Sequence, residues 1–155
     1  YDDLKGLDAM LEQCPKLCLD LTPGVEIYYS LSDQPEAARA FFIRHADRVL
    51  FGTDIGSRAA IATPPKPLDP LESAPRVRLI RQFLETEGPY TLKPDGRYLF
   101  NIPDRRMQGL SLPADILHQI YETNAWTHFG GAPRAVPEEG PEELAASLAG
   151  FGKPS

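Results

Sequence analysis

The feature that most constrains this chain is a helix-then-strand cycle that occurs twice near its start. The first cycle is DDLKGLDAMLEQ followed by KLCLDLT. Leu4, Leu7, Met10 and Leu11 recur at helical spacing, Pro15 stops the helix, and the apolar run behind it suffices for one strand. The second cycle is QPEAARAFFIRH followed by RVLFGTD, with Pro35 where a first helical turn tolerates proline. Laid over each other, the cycles put Lys16 on Arg48, Leu17 on Val49, Leu19 on Phe51 and Thr22 on Asp54. A helix-strand unit repeated after about 30 residues is the rhythm of parallel α/β folds. Both strands are nearly continuous apolar runs, as parallel strands covered on both faces require. The expected class is therefore α/β with a parallel sheet.

After Asp54 the pattern changes. IGSRAAIATPPKPLDP carries Pro64, Pro65, Pro67 and Pro70 and has no clear periodicity. An irregular connection longer than about 12–15 residues is uncommon in a compact domain and is often functional. A helix is predicted roughly from Leu71 to Glu85, with Val77, Ile80, Phe83 and Leu84 on its apolar face. The stretch GPYTLKPDGRYLFNIP is rich in turn residues, and Asp95-Gly96 marks a hairpin. The last strong helix opens near Pro113, carries Ile116, Leu117, Ile120 and Tyr121 on one face, and ends near Phe129, where Gly130-Gly131 supplies the stop. This divides the chain into an ordered portion, residues 1–130, and a Pro/Glu-rich tail, 131–155, with one short helix-like stretch, PEELAASLAG.

Composition removes several function classes. A chain of 155 residues, 42% hydrophobic and 25% charged, fits one ordinary globular domain. Its net charge of −6 and pI near 5.0 argue against a nucleic-acid partner, which needs a cationic face. No apolar run approaches the roughly 18 residues of a membrane span, and the chain opens on a polar helical pattern instead of a signal peptide. The expectation is a cytoplasmic protein with a small-molecule substrate and, at full length, a homo-oligomer. Cys14 and Cys18 are too few for a zinc cluster or a disulfide framework and read as reduced packing residues.

The chemistry points to one carboxylate. With the strand alternation of two, Leu50, Gly52 and Asp54 fall on one face of RVLFGTD and Val49, Phe51 and Thr53 on the other. Val49 and Phe51 suit packing against helices, Gly52 leaves space beside Asp54, and Asp54 ends the strand before the long connection. The bland reading of Asp54 is a loop cap, or an ion pair with Arg48 or Arg58. Asp20 reads first as a structural hydrogen-bonding group and second as lining the same mouth, a pocket that Thr22, which matches Asp54 in the repeat, could border. Arg58 reads as a solvated loop residue and Trp126 as packing at a helix end, while Gly52 and Thr53 shape the site. His45 and His128 sit in last helical turns, where a cation complements the helix dipole. His118 lies off the apolar stripe of its helix. None of the three histidines ends a strand.

DRVLFGTD resembles the last barrel strand of the amidohydrolase-related metal-dependent hydrolases, a short apolar strand ending in Gly-Ser/Thr-Asp. GLSLPADILHQIYETNAWTHFG resembles that family's closing helix, with Leu-Pro opening it and Ile-Tyr and Asn-Ala pairs near its end. KLCLDLT resembles the preceding strand, and RQFLET the helix after the loop in one branch. The resemblance spans roughly Leu4 to Gly130 and rests on the order and spacing of the motifs. It implies a (β/α)8 TIM barrel with a catalytic divalent metal, commonly zinc. It also implies that Asp54 touches the metal and accepts a proton from metal-bound water. The family's His-x-His is absent from these 155 residues.

A complete barrel uses eight strands and about 250 residues. The expected architecture is thus a C-terminal fragment of a (β/α)8 barrel, holding the last two parallel strands and their helices, with the histidine ligands outside this chain. The expected activity is hydrolysis of an amide, ester or lactone by metal-activated water, with the fragment inactive alone. Two other readings compete. One is non-oxidative decarboxylation within the same family, which release of carbon dioxide would distinguish. The other is a non-catalytic α/β module that binds a partner through its Pro-rich loop and tail.

Overall fold

The computed structural model describes residues 3–22, 24–55, 70–93 and 104–130. Helix α1 spans Leu4–Gln13. Asp3 caps it, its carboxylate accepting from the Gly6 N–H at 2.7 Å, and the Cys14 N–H closes it on the Met10 carbonyl. Leu4 and Leu11 are buried, whereas Met10 stands a quarter-turn off their stripe and is exposed. Cys14 is exposed and Cys18 half-buried, both as free thiols.

The two expected strands are present and parallel, but short. Strand β1 is Leu19–Asp20 and β2 is Val49–Leu50, in the register Leu19 to Val49 and Asp20 to Leu50, continued by the Leu21 N–H on the Leu50 carbonyl at 3.0 Å. The repeat overlay aligns Leu19 with Phe51, so the pairing register is offset from the repeat by two residues. A slide of two keeps every side chain on its face, and the alternation survives it. The ladder stops early because local bonds take its amides. Asp20 Oδ1 accepts from both the Thr22 N–H and the Thr22 hydroxyl at 2.7 Å, and the Gly52 N–H folds back onto the Leu50 carbonyl at 3.1 Å.

Two helices lie between the strands where the sequence predicts one. Helix α3, Pro35–Arg44, is the expected helix and buries Ala38, Phe41 and Phe42. Helix α2, Val25–Ser32, has a composition of β-branched and aromatic residues that hides it. Tertiary contacts hold it: Tyr28 is buried, donates its hydroxyl to the Leu21 carbonyl at 2.7 Å, and meets Phe83 edge-on at 5.2 Å. A 3₁₀ turn, Ala46–Arg48, then leads into β2.

Helix α4, Pro70–Glu85, agrees with its predicted span and buries Leu79, Ile80, Phe83 and Leu84; Val77 is only half-buried. Strands β3, Glu87–Leu92, and β4, Arg105–Leu110, form an antiparallel pair from Glu87 opposite Leu110 to Leu92 opposite Arg105. The Asp95-Gly96 turn expected between them lies outside the described residues. Three contacts fix this pair to α2 and α3. The Gln108 N–H donates to Ser32 Oγ at 2.6 Å, Arg105 pairs with Asp33 while lying over the Tyr29 ring, and Arg39 donates to the Ser111 carbonyl. Gly109 runs flush against α4's end: a Cβ there would stand 2.3 Å from the Thr86 carbonyl oxygen.

The closing segment runs from α5, Ala114–His118, through a π turn, Gln119–Thr123, into α6, Asn124–Phe129. It covers the span of the single predicted helix. Ile120 is buried and Tyr121 meets Phe51 edge-on at 4.9 Å. Trp126, expected to pack, is instead 38% exposed, next to a more exposed Phe129. One core joins α1 to α4, both strand pairs and the π turn. The class is mixed helix and strand with a parallel pair. Among the described residues, no helix is long and apolar enough to cross a membrane. The tail, 131–155, lies outside the described residues.

Candidate functional site

The parallel pair has two unlike faces. Leu19, Leu21, Val49 and Phe51 turn toward the helices and pack in or against the core. Asp20, Leu50 and Gly52 alternate with them; Asp20 is exposed and Leu50 stands outside the core. The Asp20 carboxylate and Gly52 meet across the two strand ends.

Gly52 was expected to leave open space there. The space is taken: a Cβ on Gly52 would lie 1.7 Å from Asp20 Oδ1, so the Asp20 carboxylate sits directly over the glycine. Asp20 is thus a structural group, as the sequence indicated, with Thr22 as its partner. Asp20 and Thr22 also line a cavity of about 260 Å³ bounded by α1, α2 and α3.

Asp54 lies four residues beyond the paired part of β2. Its φ of +52° is left-handed, a conformation that aspartate tolerates better than most residues. Strand alternation consequently does not extend to it, and its placement comes from an ion pair. Arg76 of α4 donates from Nη1 to Asp54 Oδ2 at 3.0 Å. The Arg76 side chain is 5% exposed and the Asp54 side chain 40%. The sequence anticipated an ion pair with Arg48 or Arg58 as the alternative to function. Arg48 is engaged elsewhere, on His45 and the Leu11 carbonyl, and Arg58 lies outside the described residues. Nothing in the sequence marks Arg76, which sits in the middle of an ordinary helical pattern.

A broad, open cleft of about 580 Å³ starts at Ile55, the residue after Asp54, and runs along α4 past Val77, Arg78 and Arg81 to Glu85. At its far end Arg81 pairs with Glu85 at 2.7 Å, and the Tyr121 hydroxyl donates to the same carboxylate at 2.8 Å. The Arg81 hydrogen bond, reinforced by Tyr121, holds the Glu85 carboxyl below its usual range, while burial and then Glu85 push the Tyr121 phenol well up. Tyr121 belongs to the π turn, an irregularity that recurs at functional sites in other proteins.

No family model, curated protein or solved structure matches this chain. The test of a metal centre rests on the residues themselves. Among the described residues, no three of His, Cys, Asp and Glu come together to hold an ion. His45 is buried against Asp8 and Arg48, His118 pairs with Glu122 at the surface, and His128 bonds the Asp47 carbonyl. Asp54 alone offers one carboxylate, with an oxygen already on a guanidinium. The described residues do not fit a self-sufficient metal site, and any zinc would need its ligands from elsewhere.

Proposed function

We propose that this chain belongs to a metal-dependent hydrolase of the amidohydrolase-related type, acting on an amide, ester or lactone. In this reading, β1 and β2 are the last two strands of a (β/α)8 barrel. The observation that carries it is the placement of Asp54: a part-exposed carboxylate just past the C-terminal end of a parallel strand, beside a cleft. Catalytic groups of parallel barrels stand at that end of their strands.

The buried Arg76 guanidinium fixes the orientation of the carboxylate, which a group that must meet a water molecule in one direction requires. Asp54 would accept the proton of the attacking water. A divalent ion such as zinc belongs to this reading by resemblance. The described residues do not hold one by themselves. A parallel pair only two residues long is too small to stand as a complete sheet, which supports a sheet that continues beyond two strands.

The test uses the protein as its source cell makes it, assayed for hydrolysis of p-nitrophenyl esters, anilides and lactones. Hydrolysis that falls about 10²-fold or more in Asp54→Asn, the size expected for losing a general base, supports the proposal. Full activity in Asp54→Asn, or no hydrolysis in any class, refutes it.

A further inference from the structure

We infer that α1 is held to the rest of the fold by an acid-sensitive latch centred on His45. This residue caps α3, with its N–H on the Phe41 carbonyl at 3.0 Å, and its ring is buried, tilted against the Phe41 ring at 4.9 Å. Arg48 Nη2 lies 3.0 Å from His45 Nδ1. A guanidinium has only donors, so Nδ1 must accept, and the ring proton sits on Nε2. Nε2 in turn donates to Asp8 Oδ1 of α1. Arg44 holds the other Asp8 oxygen at 2.6 Å.

The second arm of Arg48 explains why this matters to α1. Arg48 Nη1 donates to the Leu11 carbonyl at 2.6 Å. In a continuing helix that carbonyl would accept from the residue four places on, but that residue is Pro15, which has no N–H. Arg48 supplies the missing donor, and His45 holds Arg48 in place.

A second proton on His45 would go to Nδ1. It would set one N–H against another and place a cation beside Arg48, with Arg44 close behind. Asp8 would keep its bond to the ring, but the Arg48 arm would have to leave, and the Leu11 carbonyl would lose its donor. The groups around His45 are Asp8 from α1, Arg44 from α3 and Arg48 from the 3₁₀ turn. From α6 come Asn124 on the Ala46 carbonyl and His128 on the Asp47 carbonyl. Leu4 and Leu7 of α1 form one wall of an apolar cavity of about 260 Å³, facing Leu19, Leu31, Phe41 and Phe42. Release of α1 opens that cavity.

Hydrogen exchange read at about pH 7.5 and about pH 5 tests the latch. Corrected for intrinsic rates, protection of the α1 amides is expected to fall about tenfold or more at the lower pH, while β4 stays protected. His45→Asn retains an acceptor for Arg48 without a titrating ring, so its α1 protection should not change with pH. Arg48→Leu should lower α1 protection at both values and abolish the pH step. The latch is overturned by a wild type with no step, by a step of equal size in His45→Asn, or by equal loss in β4. An Arg48→Leu variant that keeps both the protection and the step also overturns it.

Discussion

Replacing Asn124 by alanine probes the joint on which the closing segment hangs. Asn124 is 2% exposed, and its Nδ2 donates to two main-chain carbonyls, those of Ala46 at 2.5 Å and Val49 at 2.8 Å. Asn124→Ala therefore removes both bonds and leaves two carbonyls in a dry environment. Each orphaned group costs about 1–3 kcal/mol, so a loss of about 2–6 kcal/mol is expected for the pair. That is a large share of the roughly 5–15 kcal/mol by which domains are stable. In a chain of this length about 1 kcal/mol moves the melting midpoint by about 2–4 °C, which gives a fall of about 4–24 °C. Urea unfolding followed by circular dichroism measures it, with the exposed Thr123→Ala as a control that should stay within about 0.5 kcal/mol of wild type. Asn124→Asp should be worse than alanine at neutral pH, because a carboxylate would face two carbonyl oxygens. An Asn124→Ala protein as stable as the control would show that the two bonds do not anchor the segment.

Four further outcomes are expected. Gly109→Ala should destabilise by about 1–3 kcal/mol, since its Cβ would meet the Thr86 backbone, which cannot turn aside; calorimetry reads it. Gly52→Ala should cost less, about 0.5–1.5 kcal/mol, because the exposed Asp20 side chain can swing away and forfeits only its Thr22 bonds. That cost should vanish in an Asp20→Ala background, a coupling that a double-mutant cycle reads directly. The Asp8 carboxyl is held below its usual range by its hydrogen bond to His45 and by Arg44. A depressed folded value means stability that is present above the unfolded carboxyl range and lost as pH falls through the folded one. Unfolding midpoints should therefore drop from about pH 5 toward pH 3, and less steeply in Asp8→Asn. Finally, the chain by itself should bind zinc no tighter than about 1 μM; stoichiometric zinc surviving dialysis would contradict the placement of the ligands elsewhere.

The elements legible in the sequence were those whose period was unambiguous. α1, α3, α4 and the closing segment each carry apolar residues at helical spacing between clear stops. They lie where that spacing puts them. The parallel pairing of KLCLDLT with RVLFGTD was legible too, because nearly continuous apolar strands separated by a helix leave few alternatives. α2 was not legible: Val25, Ile27, Tyr28 and Tyr29 have weak helix propensity, and the packing of Tyr28 under Phe83 overrides it. The candidate site was half legible. Asp54 stood out at a strand end, but its partner Arg76 comes from a helix beyond a long connection, and sequence spacing holds no information about which arginine closes that distance.

By itself, the sequence determined most of the residues that face inward, with Met10 and Trp126 as exceptions, since burial largely follows a local period. Only the tertiary structure decided what the polar residues do. It set Asp20 over Gly52, Asp54 on Arg76, His45 between Asp8 and Arg48, and Asn124 on two carbonyls. A hydrogen bond needs its partner within about 3 Å and in line, and residues far apart in the chain meet that condition only after the core has fixed where the backbone runs.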